Sequence, residues 1–376
     1  MKRFFAPMIV DANGTQKNQV IHIESGKINA ITPGNIDDAD VVLKGTVCPG
    51  FIDVQVNGGG GVLFNNAPTL ETLVAMSEAH QRFGTTAMLP TVITDDYDVM
   101  QRAATATSEA IQLGVAGITG IHFEGPHLSK AKRGIHPSEK IRSLSEQEFA
   151  LFSRKDLGIV CVTIAPETVP PSDIQRLTDL GVIVCIGHSN ANYEQTMQAL
   201  TAGATGFTHL FNAMSPLQSR EAGVTGCALL NDNSFAGLIV DLHHVCAQTC
   251  ALAIKTKGYQ RIMLVTDSMS HVGSEQDRLD FAGMTIYKDK GKLSLQDGTL
   301  AGSALSMAGA IQNTVHILNI PLHEASAMAS TSPASFLGIS KNKGKIESGF
   351  DADFVCLNEG LSVTSTYIAG KRVFAH

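Results

Sequence analysis

Apolar residues along this chain gather in short, nearly continuous runs, separated by longer stretches in which they recur every three or four positions. The runs are CPGFIDVQVNG from residue 48, TTAMLPTVIT from 85, GITGIHFEGPH from 117, GIVCVTIAPE from 158, VIVCIGHSN from 182, GFTHLFNAM from 206, AGLIVDLHHV from 236 and RIMLVTDSMS from 261. A run that is apolar on both faces reads as a strand buried within a parallel sheet. Between the runs, TLETLVAMSEAHQRF (69–83), SLSEQEFALFSRK (143–155) and ANYEQTMQALTAG (191–203) carry the spacing of amphipathic helices. Alternation of strand and helix predicts an α/β fold, and eight strands at this length favour a closed (β/α)8 TIM-like barrel over an open doubly wound sheet.

The two ends of the chain are patterned differently. Residues 1–47 and 339–376 contain short alternating segments such as QVIHIESGKINAITPG and LSVTSTYIAGKRVF, with turn residues between them. Both predict antiparallel structure. Because they flank the barrel, assigned to residues 48–338, the expectation is one small β-sandwich domain formed by both termini.

Composition narrows the functions open to such a fold. With 376 residues, 44% hydrophobic and 17% charged, the chain can bury a large core. A net charge of −7 excludes nucleic acid as the main partner, although one or two local basic groups could still hold a small anion. The Gly-rich stretch NGGGG at 57–61 lacks the spacing of a dinucleotide turn. The seven cysteines include no CxxC pair, and Cys161 and Cys185 fall inside apolar runs, as reduced thiols do in a cytosolic protein. The run FFAPMIV after Lys2 and Arg3 is too short for a secretory signal, and no segment is long enough to span a membrane. These features together predict a soluble, cytoplasmic protein.

Four of the eight runs end in a residue that chemistry uses: Glu124, His188, His209 and Asp267. One carboxylate and two imidazoles make a ligand set for a divalent metal, and strand tips are where a barrel keeps its catalytic groups. A single histidine after an apolar run is more often structural, so the reading rests on the three recurring together. His22, His80, His316, His323 and His376 lack such a setting. Asp267 has two open readings, as a general base or as a helix N-cap.

The motifs PGFIDVQVNG, HFEGPHLS, KRGIHP, GHSNA, THLFNAM, VTDS and GTLAGSALSM, in this order, resemble those of the N-acetylglucosamine-6-phosphate deacetylases of the amidohydrolase superfamily. The resemblance runs from about Pro49 to Met307, with GKIESGFDADFV fitting the small β domain. It implies hydrolysis of N-acetyl-D-glucosamine 6-phosphate to glucosamine 6-phosphate and acetate. Glu124, His188 and His209 match the metal ligands and Asp267 the catalytic base. His136, preceded by Ile135, matches a residue at the substrate acetamido group. Asn212 and Ala213 match main-chain contacts to the sugar phosphate, Arg220 and His244 match the other substrate contacts, and Leu300, Ala301 and Gly302 match a loop against the sugar. The family's arginine can come from a neighbouring subunit, which implies a homodimer.

Two departures qualify that reading. Many amidohydrolases have His-x-His at the end of the first strand, whereas Gln55 and Asn57 stand here, as at a vestigial second-metal site. Amides are poor transition-metal ligands. One divalent metal ion per subunit is therefore expected, zinc first, with iron, manganese or cobalt as alternatives. At 241–244 the chain reads DLHH where family members usually have Asp-Gly-x-His, which gives weight to the galactosamine epimer as substrate. A dihydroorotase-type hydrolase and a barrel kept as a non-catalytic scaffold are weaker alternatives.

Overall fold

The computed structural model describes residues 1–376. Each apolar run contains a strand: β1 (Phe51–Val56), β2 (Thr85–Ile93), β3 (Gly120–Glu124), β4 (Ile159–Ile164), β5 (Ile183–Ile186), β6 (Gly206–Phe207), β7 (Phe235–Leu238) and β8 (Ile262–Leu264). They lie side by side in chain order, every neighbouring pair parallel. The barrel closes where β8 returns to β1. There Val56 bridges Ser268. The N–H of Asp267 donates to the Gln55 carbonyl (3.0 Å), and that of Asn57 to the Ser268 carbonyl (2.9 Å). Buried Asp53 of β1 reinforces the seam by accepting the Thr266 hydroxyl at 2.5 Å.

The expected helices are present but trimmed by their caps. Leu70–Gln81 begins after Thr69, whose hydroxyl accepts the Thr72 N–H. Glu146–Phe152 and Tyr193–Thr201 begin after capping boxes at Ser145/Glu148 and Asn192/Gln195. Such caps satisfy amides that the first helical turn leaves without partners. No helix is long and apolar enough to cross a membrane.

The termini together form one separate small sheet, and it is a single curled sheet. Strands Lys2–Asp11, Gly14–Glu24 and Lys27–Pro33 come from one end, and Phe354–Leu357, Val363–Ile368 and Lys371–Ala375 from the other. Thr46–Pro49 joins the halves, parallel to the first strand and antiparallel to Phe354–Leu357. The boundary expected after residue 47 falls inside this strand. The sheet curls until the Ile28 N–H reaches the Phe350 carbonyl (2.8 Å), enclosing a core of its own. Phe4 packs edge-on against Phe354 and Tyr367 there, with ring centroids 5.9 and 5.7 Å away. All seven cysteines are free thiols, and only Cys246 is exposed.

One element was not among those expected. After β8, Arg278–Phe281, Met284–Asp289 and Lys292–Ser294 form a three-stranded antiparallel sheet. Its apolar face packs on Ile93, Ile135 and Met269, residues at the rim of the barrel mouth.

Candidate metal and catalytic site

The strand tips carry out the convergence that the sequence suggested. Glu124 ends β3, His188 and His209 follow β5 and β6 by two residues, and Asp267 follows β8 by three. His188, His209 and Asp267 all adopt left-handed backbone, with φ of 46°, 34° and 50°. For non-glycine residues this costs about 1 kcal/mol or more each, a strain typical of functional positions. It turns each chain sharply off its strand and directs the side chain over the barrel axis.

The three expected ligands meet at one point. The Glu124 Oε1 lies 2.9 Å from His209 Nε2 and 3.2 Å from His188 Nε2, and the two imidazole nitrogens are 3.0 Å apart. Donor atoms bound tetrahedrally at about 2.0–2.1 Å would sit roughly 3.3 Å from one another, so the trio fits a divalent cation. The far side of His188 supports this orientation. Its Nδ1–H donates to the Lys132 carbonyl at 2.8 Å, which leaves the Nε2 lone pair facing Glu124 and His209.

Electrostatics follow from burial and these contacts. Burial alone would raise the Glu124 carboxyl, but the close imidazoles of His188 and His209 outweigh it and hold it well below the usual range. His209 is raised, because the Glu124 contact overcomes the effect of burial. Asp267 is pushed up to about 6, first by burial and then by the nearby Glu124 charge. It caps no helix. Its Oδ1 accepts hydrogen bonds from Asn57 Nδ2 (2.7 Å) and Gln55 Nε2 (3.2 Å), and the same Gln55 amide donates to Glu124 Oε1 at 3.1 Å.

His136 stands beside the trio, its ring centroid 4.3 Å from that of His188. The Thr94 backbone N–H donates to His136 Nδ1 (3.3 Å), and the Thr94 hydroxyl lies 2.8 Å from the same nitrogen. A backbone N–H can only donate, so Nδ1 is an acceptor and the ring proton sits on Nε2. Burial, then the proximity of His188, holds the ring well below its ordinary pKa. His136 is thus a neutral donor. Across the mouth, His244 Nδ1 donates to Asp241 Oδ2 at 2.7 Å, while Asp241 Oδ1 accepts the His243 and His244 N–H groups.

The site opens into a cavity of about 160 Å³. Glu124, His136, His188, His209 and Asp267 form its floor, and Asn57 reaches it beside Asp267. Ile135, Asn212, Ala213, His244, Leu300 and Gly302 complete the part anticipated from sequence. Ala301 lies fully buried behind the wall, with its N–H on the Leu293 carbonyl, and Gln55 is buried behind Asp267. Arg220 is exposed and does not line the cavity, nor does any other lysine or arginine. His243 is also outside it, facing the turn at Gly291. Sequence reading missed Ile93, Gly134 and Met269 in the wall, and Thr94 and Asp241 as the groups that orient the two histidines. Asp241 left a signal, three residues before His244 in DLHH, as did Gly134 within KRGIHP.

Known proteins match this arrangement. The sequence profile of the amidohydrolase family matches residues 46–373. An N-acetylgalactosamine-6-phosphate deacetylase of Shewanella sp. (strain ANA-3) is 49% identical over 333 residues, 89% of this chain and 84% of the relative. An N-acetylglucosamine-6-phosphate deacetylase of Haemophilus influenzae is 37% identical over 86% of this chain and 85% of its own length. Among solved structures, the N-acetylglucosamine-6-phosphate deacetylase of Pasteurella multocida superposes with a TM-score of 0.95 at 34% identity, covering 100% of both chains. The chain belongs to the amidohydrolase family.

Proposed function

We propose that this protein is a metal-dependent deacetylase that converts N-acetyl-D-glucosamine 6-phosphate and water to D-glucosamine 6-phosphate and acetate. The observation that carries the reading is the meeting of Glu124, His188 and His209, with Asp267 and a neutral His136 on the same cavity floor. A divalent ion held by the trio, zinc first, would polarise the acetyl carbonyl and bring the pKa of water toward neutrality.

The side chains then have distinct tasks. His136 offers its Nε2–H to the carbonyl oxygen as negative charge builds there. Asp267 takes a proton from the attacking water as the C–O bond forms, and returns it to the sugar nitrogen as the C–N bond breaks. His244, Leu300 and Gly302 surround the sugar, and the main chain at Asn212 and Ala213 faces its phosphate. A charged phosphate is held most strongly by a charge-assisted contact, and no lysine or arginine lines the cavity of one chain. We assign that role to Arg220 of a second copy, which makes the enzyme a homodimer; its planar donors suit two phosphate oxygens. We place the enzyme in the cytoplasm, where phosphorylated sugars are handled, with the barrel that was expected over residues 48–338 and whose first strand begins at Phe51 as the catalytic part.

A second reading keeps the chemistry and changes the epimer. The DLHH segment at 241–244 and the 49% identity to the Shewanella relative favour N-acetyl-D-galactosamine 6-phosphate. Acetate release from both epimers by metal-quantified protein decides between them. Higher kcat/KM on the glucosamine form supports the first reading, higher kcat/KM on the galactosamine form supports the second, and no acetate from either rejects both.

A further inference from the structure

Beyond the groups expected to react, two amides sit against the proton carrier in an arrangement that has a consequence for turnover. A carboxylate on its sp² torsion rotates broadly unless something holds it. At Asp267 both holding contacts fall on one oxygen: Asn57 Nδ2 at 2.7 Å and Gln55 Nε2 at 3.2 Å, both on Oδ1. Carboxylate oxygens accept only, so the orientation of each amide follows without ambiguity. Oδ2 has no protein partner and is the oxygen left to face the cavity.

We infer that Gln55 and Asn57 are positioning residues that clamp Asp267 through Oδ1, so that Oδ2 alone carries the proton between water and the sugar nitrogen. Three further features fit. The second hydrogen of the Gln55 amide goes to Glu124 Oε1 (3.1 Å), which ties the orientation of Asp267 to the ligand cluster. The backbone closes the same seam, with the Asp267 N–H on the Gln55 carbonyl at 3.0 Å. The clamps are neutral. A lysine or arginine in their place would hold the carboxylate equally well but would suppress its ability to take up a proton. Gln55 and Asn57 are 2% and 1% exposed, so water does not compete for these contacts.

The inference rests on Asp267 being the proton carrier, and its test is arranged around that. Gln55→Met and Asn57→Leu remove the donors while keeping the approximate shape. Each variant, purified with its metal, is compared with wild type for metal per subunit, melting temperature, kcat and KM on the preferred 6-phosphate. The expected result is one metal retained, KM within about threefold and kcat lower by about ten- to a hundredfold, the scale of one hydrogen bond to a charged group. The decisive comparison is a double-mutant cycle: in an Asp267→Asn background, Asn57→Leu is expected to lower kcat no further. Unchanged kcat in both single variants overturns the clamp, as does an equal loss in the Asp267→Asn background or a loss that parallels missing metal. If Asn57→Leu does not fold, Gln55→Met carries the same cycle. Inactive wild type would instead refute the deacetylase reading itself.

Discussion

Replacing Asp267 by asparagine separates proton transfer from every other task of the site. The wild-type carboxylate has one oxygen engaged by Gln55 and Asn57 and the other free toward the cavity. Both engaged contacts come from donors, so the asparagine oxygen must take the Oδ1 place and its NH₂ the Oδ2 place. An NH₂ group has no lone pair to offer, and the variant has no base at this position. The three ligands meet without Asp267, so metal content is expected to stay at wild-type level. General acid–base catalysis contributes about 10²- to 10⁴-fold, and kcat is expected to fall by that amount with little change in KM. The pH profile adds a sign. Asp267 acts unprotonated, so wild-type kcat/KM falls as pH drops through its pKa. That limb is expected at or below about 6, since a bound cation lowers the carboxyl from the value set by burial and Glu124. In Asp267→Asn the limb disappears. The assay is acetate release by metal-quantified protein across pH. A variant within threefold of wild type in kcat would refute the assignment of Asp267 as proton carrier.

His188→Ala removes one of three ligand atoms and should leave less than a tenth of the metal after dialysis; full occupancy in metal analysis would reject the ligand role. Arg220→Ala should weaken kcat/KM on the 6-phosphate by about ten- to a hundredfold, the scale of a charge-assisted contact, while leaving unphosphorylated N-acetylhexosamine unaffected. Equal losses on both substrates would rule out the phosphate contact. Gly120→Ala tests the barrel itself. A Cβ there would lie 1.9 Å from the Ile159 carbonyl oxygen, so β3 and β4 must separate. A stability loss of about 1–3 kcal/mol is expected, read by denaturant unfolding, and an unchanged midpoint would contradict the packing described at the start of β3.

Much of this architecture could be read from the pattern of apolar positions, because parallel strands buried on both faces leave long uninterrupted runs. The same pattern located Glu124, His188, His209 and Asp267, since each immediately follows such a run. What the chain did not disclose was how those side chains are aimed. The left-handed turns at His188, His209 and Asp267 occur at residues with no conformational signature, where tertiary context overrides local preference. Gln55 and Asn57 were visible only as amides where metal ligands could stand; their grip on Asp267 depends on a partner more than 200 residues away. The sheet at 278–294 was not anticipated, though Gly283 and Gly291 mark both of its turns with positive φ. Its strands are short and half-exposed, so their alternation is weak against the long barrel runs. Thr94 illustrates a different limit: a backbone amide fixes the His136 tautomer, and backbone direction is not written in residue identity.

The central claim is that a single cation held by Glu124, His188 and His209 makes this barrel a deacetylase. Its most direct test is reconstitution: protein stripped by chelator is titrated with zinc while acetate release from the preferred 6-phosphate is followed. The account predicts that activity is lost on stripping and returns linearly to a break at one equivalent per subunit. Activity that survives complete removal of metal, or that returns only beyond two equivalents, would contradict it.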